Sequence, residues 1–377
     1  MTSNQTSKLE IIRAENDTLE TRDGRQLIDM FCGSGSVFLG HANAEINSFL
    51  KAQLEKIWNT GVLKNPARSE AIKQIKHFFP DHCEVAGLYS TGMEVAEFAI
   101  RVARTLTGRK GLIGFERSMH GKSMATSFLA WNNDLITLPD IEKLPNVSMI
   151  PEDELLERLR SVLSRKQIAA VFIEPILGSA GGHSASKRFY QQLSSLCSEF
   201  GTLLIFDEIL TGFYRTGNPF MFGELGVRPD IVLIGKVMGN GFPVSGIMLS
   251  DKYSVRPEML PNSTFAGNPL AGAVIAGTLQ FMQKMDIATA VSHIHNTITA
   301  NLKPLESHGI SLRGKGALWV LEFPPDVDTS HVASTILDEG ILVSPAARMI
   351  RLLPPATIKE SNLMKACEVV REACLRD

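Results

Sequence analysis

The chain has 377 residues, of which 44% are apolar and 21% charged, a balance that excludes a disordered chain and suggests two or three structural units. Its 38 Lys and Arg against 40 Asp and Glu leave a formal net charge of −2, so no broad positive field exists to attract nucleic acid or anionic lipid. Five cysteines, Cys32, Cys83, Cys197, Cys367 and Cys374, form no C-x-x-C pair, which favours free thiols in a reducing compartment and makes the cytoplasm the expected location.

In chain order, the first twenty residues have no basic flank followed by an apolar stretch, and no later window offers the roughly 18 apolar residues of a membrane span. Neither a signal peptide nor an anchor is expected. Residues 1–55 carry a DGR turn at 23–25 and a glycine-rich stretch at 32–41, and are read as a segment that packs with the C-terminal region. Apolar runs at 85–89, 111–115, 168–173, 202–206, 231–234 and 244–249 have the length and branching of buried strands. Between them, 94–106, 152–163 and 186–200 repeat apolar residues at three- and four-residue intervals, as helices do. This alternation predicts a large α/β domain over 56–268, a mostly parallel sheet with helices on both faces. From 269 to 377 the pattern changes to long helices at 269–285 and 288–305 and short strands near 317–322 and 341–343, predicting a smaller α+β domain.

Three ionisable residues follow apolar runs. Glu174 ends AAVFIE, Asp207 ends TLLIFD, and Lys236 stands just past DIVLIG, which places all three on the rim where an open parallel sheet binds ligands. The turn STGME at 90–94 opens a helix on the same rim, and the exposed N–H groups of a helix start favour an anion. Singly, each has a plainer reading as a helix cap, a salt-bridge partner or a solvated amine. Together, an anion cup, a carboxylate and a lysine match what pyridoxal phosphate needs for its phosphate, its ring nitrogen and its aldehyde. Other chemistries lack their motifs: no G-x-x-x-x-G-K-[S/T], no G-x-G-x-x-G, no H-E-x-x-H and no clustered Cys/His set for a metal.

With these residues in view, the chain resembles the class III (omega or ornithine-type) aminotransferases, pyridoxal-phosphate enzymes of fold type I. LLIFDEILTGFYRTG at 203–217 and RPDIVLIGKVMGNGFPVSG at 228–246 carry the resemblance most specifically. STGMEVAEFAIRVAR at 90–104, MHG at 119–121, EPILGSAG at 174–181, STFAGNPLA at 263–271 and IRLLPPATI at 350–358 follow in the same order. The resemblance implies that Lys236 forms the internal aldimine and then moves a proton at the substrate Cα on the way to pyridoxamine phosphate. Such a lysine needs a pKa lowered by desolvation or a nearby cation. It also implies that Asp207 pairs with the pyridine N–H, that Ile209 packs on the ring, and that Thr91, Gly92 and Met93 hold the phosphate. Thr264 would complete the phosphate cup of a neighbouring subunit, which implies a homodimer with shared active sites. Glu174, Met119 and His120 fall in the cofactor pocket of the pattern, although His120 taken alone reads as loop packing. Met119 replaces the family's usual ring-stacking aromatic with a softer thioether. Arg351 fits a carboxylate-binding arginine, and Ser179 stands where several members carry a shielding glutamate.

The expected activity is amino transfer from an amino-acid donor to an aldehyde or keto acceptor, both small molecules. A decarboxylase, epimerase or aminomutase using the same cofactor and lysine is the alternative within the family. A regulatory protein that only binds the cofactor is the alternative outside it, and the polar N-terminus offers no DNA-binding segment for that role.

Overall fold

A computed structural model describes residues 9–130, 138, 140–254, 259–260 and 262–376. Its central sheet has seven strands in the spatial order Cys83–Tyr89, Ser245–Ser250, Ile231–Gly235, Leu203–Asp207, Ile168–Ile173, Gly111–Phe115 and Ile141–Leu144. Ser245–Ser250 runs antiparallel to both neighbours. The other six strands share one direction.

Strand periodicity divides the core in two. Leu203, Ile205, Ile231, Leu233, Ile247 and Leu249 pack on one face with the helix Gly92–Thr107. Leu204, Phe206, Val232, Ile234 and Met248 face the opposite way, toward Phe189 and Leu193 of the helix Lys187–Phe200. Alternate residues of one strand thus serve two apolar layers, which is why these segments read as unbroken apolar runs. The helix Gly92–Thr107 forms because Val95, Ala96, Ala99, Ile100, Val102 and Ala103 make one buried stripe, Thr91 caps its start and Gly108 closes it at φ +67°.

The N-terminal strands Ile11–Glu15, Thr18–Thr21 and Gln26–Asp29 form an antiparallel sheet, extended by Ile341–Leu342, which pairs in parallel with Gln26–Asp29. A third, antiparallel sheet orders Ser311–Lys315, Leu318–Glu322, Met349–Leu352 and Ser344–Ala346. The helix expected over 288–305 ends earlier, at Leu302, and continues as the 3-10 segment Lys303–His308. Pro304 lacks the N–H that the next turn of α-helix requires. No helix among the described residues is long and apolar enough to cross a membrane.

The glycine-rich stretch folds into a turn of the opposite hand. Cys32, Gly33, Ser34 and Gly35 have φ of 47°, 54°, 60° and 82°, and the turn closes through Gly35 N to Phe31 O at 3.0 Å and Ser36 N to Cys32 O at 2.8 Å. Left-handed helical geometry costs an L-residue about 1–2 kcal/mol. Asp29 offsets this cost, since its Oδ1 accepts from Phe31 N at 2.9 Å and from Cys32 N at 2.8 Å.

Candidate active site

The rim formed by the strands' carboxyl ends holds a cavity of about 520 Å³, within the range of small-molecule sites. Ser245, the first residue of its strand, lies opposite both Tyr89 and Gly235, so the loops after those two residues meet. Thr91 and Lys236 therefore arrive side by side, and Ser245 Oγ donates to Thr91 O at 2.8 Å. Glu174 and Asp207 keep the alternation of Phe172 and Ile205, so both carboxylates project on the face covered by the helix Gly92–Thr107.

At the helix start, Thr91 Oγ1 accepts from Glu94 N at 3.2 Å, and Glu94 Oε2 reaches back to Ser90 N at 3.0 Å. The Thr91 hydroxyl proton and the N–H groups of Gly92 and Met93 have no intrahelical acceptor, which leaves them for an external acceptor such as an anion. Gly92 is required by a close approach, because a Cβ there would stand 2.9 Å from Ile209 Cδ1. Ile209 thereby lies along the cavity wall beneath the anion cup.

Asp207 is buried and held at both oxygens: Oδ1 accepts from Ile209 N at 3.1 Å and Oδ2 pairs with His120 Nδ1 at 2.8 Å. The reading of His120 as loop packing is therefore corrected. Its side chain is fully buried and lines the cavity, and its Nε2 has no partner. Burial opposes the imidazolium, but the hydrogen bond and charge of Asp207 outweigh it and raise the His120 pKa. Glu174 Oε1 accepts from Met119 N at 2.7 Å. Burial lifts the Glu174 carboxyl to about 7, with the Asp207 charge adding to the lift.

Lys236 begins the 3-10 turn Lys236–Gly239 at φ 41°, an uncommon backbone for a long side chain. Burial lowers its pKa, and Arg351 and Arg215 push the same way against Asp207 and Glu174. A lysine so placed gives up its proton more readily than a solvated one. Arg351 donates from Nη2 to Ser344 Oγ at 2.8 Å, while its buried Nε has no partner. Ser179 lines the same cavity. Thr264 does not line it: the residue is exposed, on a loop where its carbonyl accepts from Asn59 Nδ2 at 3.1 Å.

Ser34 and Ser36 also line the cavity, beside Leu210, Phe242 and Val244. The alternation Gly-Ser-Gly-Ser at 33–36 signalled an unusual backbone, but nothing in it told that the turn faces the lysine. An amine, two buried carboxylates, an anion cup and a cation converge in this cavity. That donor set fits a phosphorylated pyridine aldehyde, for which each group has a use. Among the described residues no group of three or more His, Cys, Asp or Glu side chains is placed to hold a metal ion.

A family model described as aminotransferase class-III matches residues 1–374. The [LysW]-aminoadipate semialdehyde/glutamate semialdehyde transaminase of Sulfolobus acidocaldarius is 30% identical over 98% of this chain and 95% of its own. The acetylornithine aminotransferase of Bacillus subtilis is 30% identical over 97% of this chain and 94% of its own. Among solved structures, the ornithine aminotransferase of Toxoplasma gondii superposes with a TM-score of 0.88 at 25% identity, covering 98% of this chain and 89% of that one.

Proposed function

The chain belongs to the class-III aminotransferase family and is a pyridoxal-phosphate-dependent aminotransferase; from that premise we propose that Lys236 and Asp207 are its catalytic residues and that Arg351 anchors the carboxylate of an amino-acid donor. The observation that supports this most is the meeting of one lysine, one doubly held aspartate and one helix start on a single rim. When bound, the cofactor supplies an aldehyde that condenses with amines and a pyridinium ring that withdraws electrons.

The residues divide the remaining work. Gly92, Met93 and the Thr91 hydroxyl hold the phosphate, with the helix dipole favouring its charge. Asp207 keeps a proton on the ring nitrogen, and His120 holds the carboxylate oriented for it. Ile209 and Met119 contribute apolar cover to the ring, and Glu174 fixes Met119 through its backbone N–H. Lys236 Nζ takes the proton from the substrate Cα and returns it to the cofactor side, a role that suits its lowered pKa. Arg351 offers a planar fork to a carboxylate, and Ser179 leaves that fork without a shielding acid.

Replacing Arg351 by alanine tests the carboxylate assignment. Rates with carboxylate-bearing donors should fall about 10- to 100-fold, and rates with carboxylate-free amines should stay within a fewfold, measured as loss of the aldehyde-form absorbance in the amine half-reaction. An equal loss for both donor classes makes Arg351 a structural residue.

Thr264 completes the site only as a residue given to a second subunit. Trp58, Leu63 and Phe265 are 62%, 68% and 61% exposed, and they sit on two loops joined by the Asn59–Thr264 hydrogen bond. An apolar surface of this kind supports a homodimer with shared active sites. Sedimentation is expected to give a dimer, and a functional monomer contradicts the role of Thr264.

The pairing of Gln26–Asp29 with Ile341–Leu342 supports dividing the chain into an N-terminal segment, 1–55, that packs with a small domain, 269–377, around a cofactor-binding domain, 56–268. Limited proteolysis that releases 1–55 without disturbing 269–377 contradicts that division. The five cysteines are all buried and none is in a disulfide, which supports a cytoplasmic location; fractionation into an oxidising compartment contradicts it.

A further inference from the structure

Arg215 is wholly buried, yet among the described residues no carboxylate pairs with it. Its guanidinium donates instead to three backbone carbonyls: Nη2 to Gly35 O at 2.7 Å, and Nη1 to Pro354 O at 2.7 Å and Ala317 O at 3.2 Å. It also lies 4.1 Å over the Phe38 ring. Desolvation lowers its pKa to about 10, the mark of a charge kept where an apolar side chain would pack at less cost.

Two of the three carbonyls, those of Gly35 and Pro354, belong to segments whose neighbouring residues Ser34, Ser36 and Arg351 line the cavity. Gly35 closes the left-handed turn that carries Ser34, and Pro354 follows Arg351 by three residues. These two segments already hold each other through Leu353 N to Met30 O and Ala356 N to Phe38 O, both at 2.7 Å, so they form one unit. Arg215 comes from the other side of the cavity, on the loop that leaves the sheet at Asp207. That loop is internally fixed by Gly212 N to Glu208 O at 2.9 Å and by Phe222 N to Glu208 Oε1 at 2.8 Å. Phe213 and Tyr214, immediately before Arg215, hold φ of 52° and 65°. Bulky residues occupy that region only where the surroundings impose it, and here the imposed backbone aims Arg215 at its carbonyls.

We infer that Arg215 is a positioning residue that clasps the wall bearing Ser34, Ser36 and Arg351 to the floor bearing Asp207 and Lys236, and so fixes where a substrate carboxylate sits relative to the reacting lysine. The inference rests on the reading of Arg351 as the carboxylate anchor. A lysine at 215 keeps the charge but lacks the planar fork that reaches carbonyls in different directions at once.

The test compares, in the cofactor-loaded enzyme, an α-amino acid with the amine of the same skeleton lacking its carboxylate. Arg215→Lys should raise the half-saturating concentration of the amino acid about tenfold, about 1.4 kcal/mol, with its limiting rate and both parameters of the amine within about twofold. In an Arg351→Ala background, Arg215→Lys should add nothing further for the amino acid, because the group it positions is gone. Equal impairment of both donors, full additivity with Arg351→Ala, or no change overturns the clasp. If Arg351→Ala discriminates between the donors and Arg215→Lys does not, the clasp alone falls. If Arg351→Ala does not discriminate, the anchor reading falls and takes the clasp with it. Phe38→Leu retains all three carbonyl bonds and carries the same comparison should Arg215→Lys fail to fold. A rise of about threefold confined to the amino acid supports the clasp, and no rise overturns it.

Discussion

Changing Lys236 to alanine should lower the amine half-reaction on the order of 10³-fold or more, the size expected when a positioned proton carrier is removed. The cavity loses one amine, but its anion cup and Asp207 are built from other segments, so the variant should still bind the cofactor without a covalent link. Small primary amines added to the solution should recover part of the rate, since the missing group is a base of that chemical type. Transfer within tenfold of the parent, measured by stopped-flow absorbance, is incompatible with Lys236 as the proton carrier.

The second large effect is expected at Asp207. Asparagine matches the shape of aspartate but removes the charge that keeps a proton on the ring nitrogen. It also presents an N–H where Oδ2 meets His120 Nδ1 at 2.8 Å. His120 must then accept at Nδ1 and carry its proton on Nε2, a buried atom with no partner. We expect Asp207→Asn to slow proton removal about 10²- to 10³-fold, the scale of losing one preorganised electrostatic partner, and to weaken cofactor binding. His120→Gln should cost less, because the carboxylate and its bond from Ile209 N remain. A rate for Asp207→Asn within twofold of the parent would show that the ring is served by another group.

The parallel sheet was legible because each central strand is buried on both faces, so Leu203–Asp207 reads as a plain apolar run ending in a charge and Ile231–Gly235 as one followed directly by a charge. The rim residues followed from that, since a strand's last residue and the direction of the sheet together locate a side chain. The short N-terminal strands were not legible. Ile11–Glu15 is mostly exposed, and Gln26–Asp29 is completed by Ile341–Leu342, which lies more than three hundred residues away. No local pattern records such a partner.

Within the site, identities were easier to read than relations. Asp207 stood out as a charge after an apolar run, but its bond to His120 joins residues 87 apart in the chain. Ser34 and Ser36 were hidden by a left-handed turn whose direction depends on Asp29. Arg215 belonged to a motif that could be quoted from the sequence, and only its three carbonyl partners, from 102 to 180 residues away, reveal what it joins.

The most direct measurement of the whole account is reduction of the cofactor-loaded protein with borohydride, followed by peptide mapping. The account predicts loss of the long-wavelength absorbance and a pyridoxyl group fixed on the peptide containing Lys236. A protein that stays colourless after saturation, or one whose label lies on a different lysine, contradicts it.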